Sequence, residues 1–233
     1  MKYVIEIVAK KIIGDIVWSE KPGVEMKKWR EIFKVSQNEV AKVMGISSSV
    51  IADYERGKRT PGSLFVKKFV NALIDIDSRR DYAIVKELAK AYTLNLPYIE
   101  DMSDFERPVN AYEIVKAVDG IIPTSNFDPN LKVYGYILVD SIKTITTLSG
   151  LEFYQFLSFS LGRAVILTEV NTGRSPMIAL KIAPLKPSLV VLHKPLRMDP
   201  LALYLAEREQ INLVIAFKGE KEIINSLKFI AVQ

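Results

Sequence analysis

The residues of this 233-residue chain whose types and spacing could do chemistry are mostly short polar side chains at the starts of helices. Between Val35 and Gly57, Ser36 and Ser47 each stand where an N-cap belongs, and Glu39 follows Ser36 at capping-box spacing. Gly45 and Gly57 stand where helices must end, and Gly45 supplies the left-handed residue that a tight turn requires. Val40, Val43, Ile46, Val50, Ile51 and Tyr54 supply the apolar faces of two helices packed at a steep angle, with the small Ala41 at their crossing. The second of these helices then carries Ser48, Ser49, Ala52 and Asp53 on its outer face. Such an N-terminal half can be presented to base edges in a DNA major groove. Serine bonds several bases and discriminates weakly, so specificity is expected to lean on phosphate contacts and DNA shape. Lys58 and Arg59, just past Gly57, read either as phosphate clamps or as a solvated loop. Asp53 reads either as an acceptor from a cytosine amine or as a surface residue.

Three places further along look more than structural. Asp140-Ser141 ends an expected strand and opens a helix, which serves ordinary capping or points free N–H groups into a crevice. Asn171-Thr172-Gly173-Arg174-Ser175 joins two expected strands, either as an anion cradle or as a glycine-containing hairpin turn. His193 is the only histidine, at a strand end before Pro195 and the Asp199 cap. Together, Asp140, Ser141, Thr172, Gly173, Arg174, Ser175 and His193 are the candidates for a small anionic effector. Asp140 and His193 could do acid–base work only within hydrogen-bond reach of one another.

No metal or cofactor is expected, because a chain with one histidine and no cysteine lacks the usual transition-metal ligands. There is no nucleophile elbow, Walker loop, dinucleotide glycine pattern or metalloprotease motif, so the expectation is a protein that is not an enzyme. No apolar run approaches a membrane span, and the N-terminus has an acid inside its apolar part, so the expected location is the cytoplasm, without a membrane partner.

The elements that must position these residues come in two blocks. Val4, Ile5, Val8, Ile12 and Ile13 suit a short amphipathic helix over 3–13, after which Gly14 and Lys21-Pro22-Gly23 punctuate the chain. Helices are expected over 24–33, 37–44, 48–55 and 63–76, and another over 79–92. The stretch 94–110, with Pro97, Pro108 and four acids, reads as a domain boundary or extended crossover. Beyond it, strands are expected at 133–139, 164–170, 177–182, 189–192 and 213–217, with helices at 111–118, 141–161, 200–210 and 220–227. The expected fold is therefore α+β and multidomain. An all-α head of four to five helices over 1–80 leads through a helix and linker over 81–107 to an α/β domain over 108–233 with one mixed sheet. Charge divides the same way: residues 1–80 hold 16 Lys and Arg against 10 Asp and Glu, and residues 81–233 hold 16 against 17. A basic excess confined to the head is what contact with a polyanion requires.

Residues 24–77 resemble the Xre family, which includes phage Cro and repressor DNA-binding domains, and align with it without gaps. Ser-Gln opens one helix, Ala and Gly follow at fixed spacing, Ser stands at the next cap, and Tyr-Glu-x-Gly closes. The resemblance implies that Gln37 meets a phosphate or base edge beside Asn38, and that Ser47, Ser48, Ser49 and Asp53 face the groove. It also implies a bridge from Arg30 in the first helix to Glu55 after the recognition helix, structural in role. The flanks, including Ile13 to Gly23, Gly135-Tyr136, Leu148-Ser149-Gly150, Thr172 to Met177 and Val190 to His193, look like an archaeal family of predicted transcriptional regulators with the same head. The expectation is therefore a sequence-specific regulator of double-stranded DNA, acting as a homodimer whose C-terminal domain pairs and senses an effector. The alternatives are an enzyme or enzyme-derived domain tethered to nucleic acid by the basic head, and an antitoxin-like binder of a different protein.

Overall fold

Val8, Ile12 and Ile16 recur every four residues and are fully buried, and this stripe sets the first element of the protein. The computed structural model describes residues 2–92 and 98–231. The chain divides into two compact units, residues 1–96 and 97–233. The first holds α1 (Lys2–Trp18), α2 (Pro22–Ile32), α3 (Gln37–Met44), α4 (Ser48–Glu55), α5 (Ser63–Ser78) and α6 (Ala83–Ala91). The expected stop of α1 near Gly14 is corrected: the helix runs on to Trp18 with Gly14 inside it, facing open space. Burial of Ile16 outweighs the modest helix penalty of glycine and of β-branched neighbours. The start of α6 is held by α5, because the buried Asp77 carboxylate accepts from the N–H groups of Ile84 and Val85.

The second unit holds β1 (Ile99–Asn110), α7 (Ala111–Val118), β2 (Gly120–Ile121), β3 (Lys132–Asp140), α8 (Ser141–Thr147) and α9 (Gly150–Ser160). It continues with β4 (Ala164–Thr168), α10 (Arg174–Ile182), β5 (Leu189–His193), α11 (Pro200–Arg208), β6 (Asn212–Ala216) and α12 (Glu220–Ala231). One mixed sheet runs in the order β1-β3-β4-β5-β6-β2. Its four central strands are parallel, and β1 and β2 close the edges antiparallel. Because consecutive parallel strands step in one direction, right-handed crossovers put α8 to α11 on one face. The other face packs under α7 and α12: Ile114, Val118, Ile223 and Leu227 share a core with Leu138, Ile166, Val191 and Val214. Strands covered on both faces are apolar almost throughout, as β3, β4, β5 and β6 are.

Two expectations fail here. Residues 99–110, assigned to the linker and crossover, are the edge strand β1. It is polar because only Asp101, Phe105 and Val109 turn inward, and an edge tolerates Pro108 because its missing N–H need pair with nothing. Residues 177–182, expected as a strand, belong to α10, so the 171–175 segment joins a strand to a helix and is no hairpin. Met177 and Leu180 face inward at helical spacing, and Pro176 falls in the first turn, where a helix accepts proline.

Candidate nucleic-acid interface

The α3–α4 pair is shaped by its ends. Ser36 Oγ accepts from the Glu39 N–H while the Glu39 carboxylate accepts from the Ser36 N–H at 2.7 Å, a complete capping box. The hydrogen bonds from Ser36, first its hydroxyl and then its backbone, hold the Glu39 carboxyl below the ordinary glutamate value. At the other end Gly45 takes φ +67, and the Ile46 N–H returns to the Ala41 carbonyl. Helix α4 closes in the same way, with Gly57 at φ +73 and the Lys58 N–H bonded to the Asp53 carbonyl. Ser47 occupies the cap position of α4, but its hydroxyl pairs with Ser49 Oγ at 2.8 Å instead of capping.

Beneath the pair lies a buried lock. Arg30 Nε donates to Glu55 Oε1 at 2.6 Å and its Nη2 to Oε2 at 2.9 Å, a bidentate fork, while Nη1 reaches the Val35 carbonyl at 2.9 Å. Gln37 Nε2 adds a third donor to Glu55 Oε2 at 2.8 Å. The hydrogen bond and charge of Glu55 raise the Arg30 pKa against the pull of burial. One carboxylate thus ties α2, the start of α3 and the end of α4 together. Two further contacts fix α4: its Tyr54 ring lies 4.1 Å from that of Phe65 on α5, and Gly23 of α2 approaches so closely that a Cβ there would overlap the Tyr54 carbonyl.

The outer side is polar and open. Asn38, Ser47, Ser49, Lys58 and Arg59 are exposed, and Gln37, Ser48, Ala52 and Asp53 are half-buried. Asp53 is paired with Arg56 at 3.1 Å and Lys58 at 3.4 Å. Burial pushes its carboxyl up, but those two cations outweigh it and leave the group below the ordinary aspartate value. None of the nine residues expected to meet DNA is buried, and they fall at the starts of α3 and α4, along α4 and in the loop after it. Gln37 has a second task in the lock, and Arg56, which was not among them, is exposed between Asp53 and Lys58. Its signal was its charge next to Gly57.

The second set of candidates meets the carboxyl edge of the sheet, where most are spent on internal bonds. Asp140 caps α8, accepting from the Lys143 N–H at 2.9 Å and pairing with Lys143 Nζ at 3.0 Å; Ser141 is buried beside it. Gly173, at φ +75, begins α10 against Leu192 and Met198, and Thr172 Oγ1 accepts from the Arg174 N–H. Arg174 pairs with Asp199 at 2.8 Å, and Ser175 is exposed. His193 Nε2 meets the Lys218 carbonyl at 2.8 Å. Asp140 ends β3 and His193 ends β5, with β4 between them, so about 10 Å of strand spacing separates them and the acid–base pair does not form. Near Asp140 the edge is acidic. Burial, then the charges of Glu220 and Asp140, raise the Glu100 carboxyl above its ordinary value, an unfavourable setting for an anion. Among the described residues no cluster of His, Asp or Glu could hold a metal ion, and no helix is long and apolar enough to cross a membrane.

A family model described as helix-turn-helix matches residues 26–74. Over nearly its whole length the chain is similar to an "uncharacterized HTH-type transcriptional regulator" of Archaeoglobus fulgidus, at 40% identity over 223 residues, covering 95% of this chain and 96% of the relative. A protein of the same description from Methanocaldococcus jannaschii is 40% identical over 228 residues, covering 96% of this chain and 94% of the relative. No solved structure matches.

Proposed function

The chain belongs to this family of archaeal HTH-type transcriptional regulators, and from that premise we propose that it is a sequence-specific binder of double-stranded DNA that acts as a homodimer. In this reading α4 enters the major groove, with Ser48, Ser49, Ala52 and Asp53 toward the bases. Asn38, Ser47, Lys58 and Arg59 set its register on the phosphates. Gln37 serves both sides, since its amide carries two donors and Glu55 takes one, leaving the other for a phosphate. The observation that carries the reading is the buried Arg30–Glu55–Gln37 lock directly under an open polar face, which holds α4 rigid before any DNA arrives.

Short serine side chains discriminate weakly between bases, so one head alone falls short of an operator's specificity. Two heads held at about one helical turn, roughly 34–36 Å, supply the rest through half-site spacing. The role given to the sheet unit is to pair the chains.

Titration of full-length protein into labelled genomic fragments, followed by gel shift, tests the DNA half of the proposal. The double change Ser48→Glu and Ser49→Glu puts two carboxylates against the groove, and binding is expected to fall to the background of unrelated DNA with the circular dichroism spectrum unchanged. Undiminished binding by that variant contradicts the assignment of α4.

A further inference from the structure

Helices that face water normally carry charge on their outer side. Helices α8 and α9 carry little of it, and α10 carries it only at Arg174 and Lys181. Ile142 and Ile145 on α8, Leu151 and Tyr154 on α9, and Ile178 and Ile182 on α10 are each between 42% and 77% exposed. From 141 to 161 the only ionisable side chains with ordinary charges are Lys143 and Glu152. Lys143 is paired with Asp140, and Glu152 is held in the capping box of Ser149. The three helices adjoin, because Ile145, Phe153, Pro176 and Ala179 line one apolar cleft between them. That cleft has a volume of about 40 Å³, against the ~300–1,000 Å³ of a small-molecule pocket. It accepts a methyl group or two and no metabolite.

We infer that the α8–α9–α10 face is the surface through which two copies of this chain pair. The inference rests on the homodimer reading and gives it a location. Six side chains, each more than two-fifths exposed, present on the order of 700 Å², which exceeds the ~300–600 Å² patch of an ordinary monomer and approaches the ~800 Å² per partner of a standard interface. The chemistry selects the occupant. Lys143 is paired with Asp140, Arg174 with Asp199 and Glu152 with its cap, so beyond Lys181 these helices offer little for DNA or an acidic protein to meet. A second copy about a twofold axis meets the same largely apolar surface. The opposite layer is different, since the groove between α7 and α12 sets Glu113, Lys116, Lys218, Asn225 and Ser226 among the apolar Ala117, Phe229 and Ile230.

Sedimentation velocity of the full chain over a concentration series is the test, with Leu151→Glu/Ile182→Glu on the face and Phe229→Glu on α12 as control. All three residues are exposed, so the fold should survive, as thermal melts would verify. The parent and Phe229→Glu should be dimers, and the double variant should lose dimer affinity about a hundredfold or more, as hot-spot disruption does. The absence of native cysteine allows a second readout that does not depend on variant stability. A short bis-maleimide should join Tyr154→Cys chains into covalent dimers and leave Phe229→Cys chains single. A parent dimer that survives the double glutamate change, or that cross-links at Phe229→Cys in place of Tyr154→Cys, overturns the face and leaves the homodimer reading standing. A parent that is monomeric with and without duplex DNA overturns the homodimer reading itself.

Discussion

Two carboxylates, one buried and one exposed, show how differently the two units of this protein use polar chemistry. Glu55, in the helical unit, is buried and met by a guanidinium fork and an amide, so its charge is fully matched and holds three helices in place. Glu100, at the carboxyl edge of the sheet, is exposed, lies near the charges of Asp140 and Glu220 and has the Thr168 hydroxyl as a donor at 3.3 Å. The helical unit buries matched charge and exposes a polar face. The sheet unit exposes an apolar one, and its strand-end polar groups largely bond to each other. The difference teaches that a residue's capacity for chemistry does not make it a site. What matters is whether its bonding capacity is already used inside the fold.

The contrast can be broken most forcefully at the lock. Arg30→Ala leaves Glu55 buried with its main partner removed, and loss of one member of a buried pair costs about 3–5 kcal/mol. Urea denaturation should show a drop of that size together with loss of DNA binding. A change no larger than that of Lys27→Ala, an exposed residue of the same helix, would mean the lock is not structural. Gly23→Ala comes next. Its Cβ would overlap the Tyr54 carbonyl, backbone that cannot swing aside, and overpacking of this kind costs about 1–3 kcal/mol. The same denaturation series reads it, and an unchanged midpoint would show that α2 and α4 can part without loss.

The smallest effect lies at Glu100. A carboxyl whose folded pKa is raised binds its proton more tightly in the native state. Its contribution to stability is therefore favourable below the ordinary value of 4.5 and is lost as pH climbs through the raised value. Glu100→Gln should accordingly be slightly more stable than the parent at pH 7, with the advantage shrinking as pH falls through the raised value towards 4.5 and gone below it. Melting temperatures across that range check the sign. A variant less stable at pH 7 would show that the carboxylate is matched after all, and the comparison with Glu55 would lose its point.

The helical unit was readable because its signals are local. Ser36, Glu39, Gly45 and Gly57 act within a few residues of themselves, and they set α3 and α4 at the expected bounds, Gln37–Met44 and Ser48–Glu55. The Arg30–Glu55 bridge came from resemblance, since nothing at a separation of 25 residues announces a pair. In the sheet unit the buried strands and the bounds of α7 could be read, but β1 could not. Its inward residues, Asp101, Phe105 and Val109, fall at every fourth position and one of them is an acid, so the apolar alternation of a strand is missing. The α10 error has a different origin. Six residues of mixed apolar character fit a strand as well as a helix, and Ser175-Pro176 at a helix start was the overlooked cue. The apolar outer face of α8 and α9 was present in composition all along, as a 21-residue segment with two charges, but only the fold distinguishes inward from outward on it.

The central claim is that α4, held by the lock beneath it, reads a particular DNA sequence as one half of a pair. Selection of a random duplex pool by the full-length protein, followed by sequencing of what is retained, tests it most directly. The account predicts enrichment of one motif in two half-sites, centres about 10 base pairs or a small multiple apart, with no enrichment by the Ser48→Glu/Ser49→Glu variant. Retention of duplexes without regard to sequence, or equal enrichment by that variant, would contradict it.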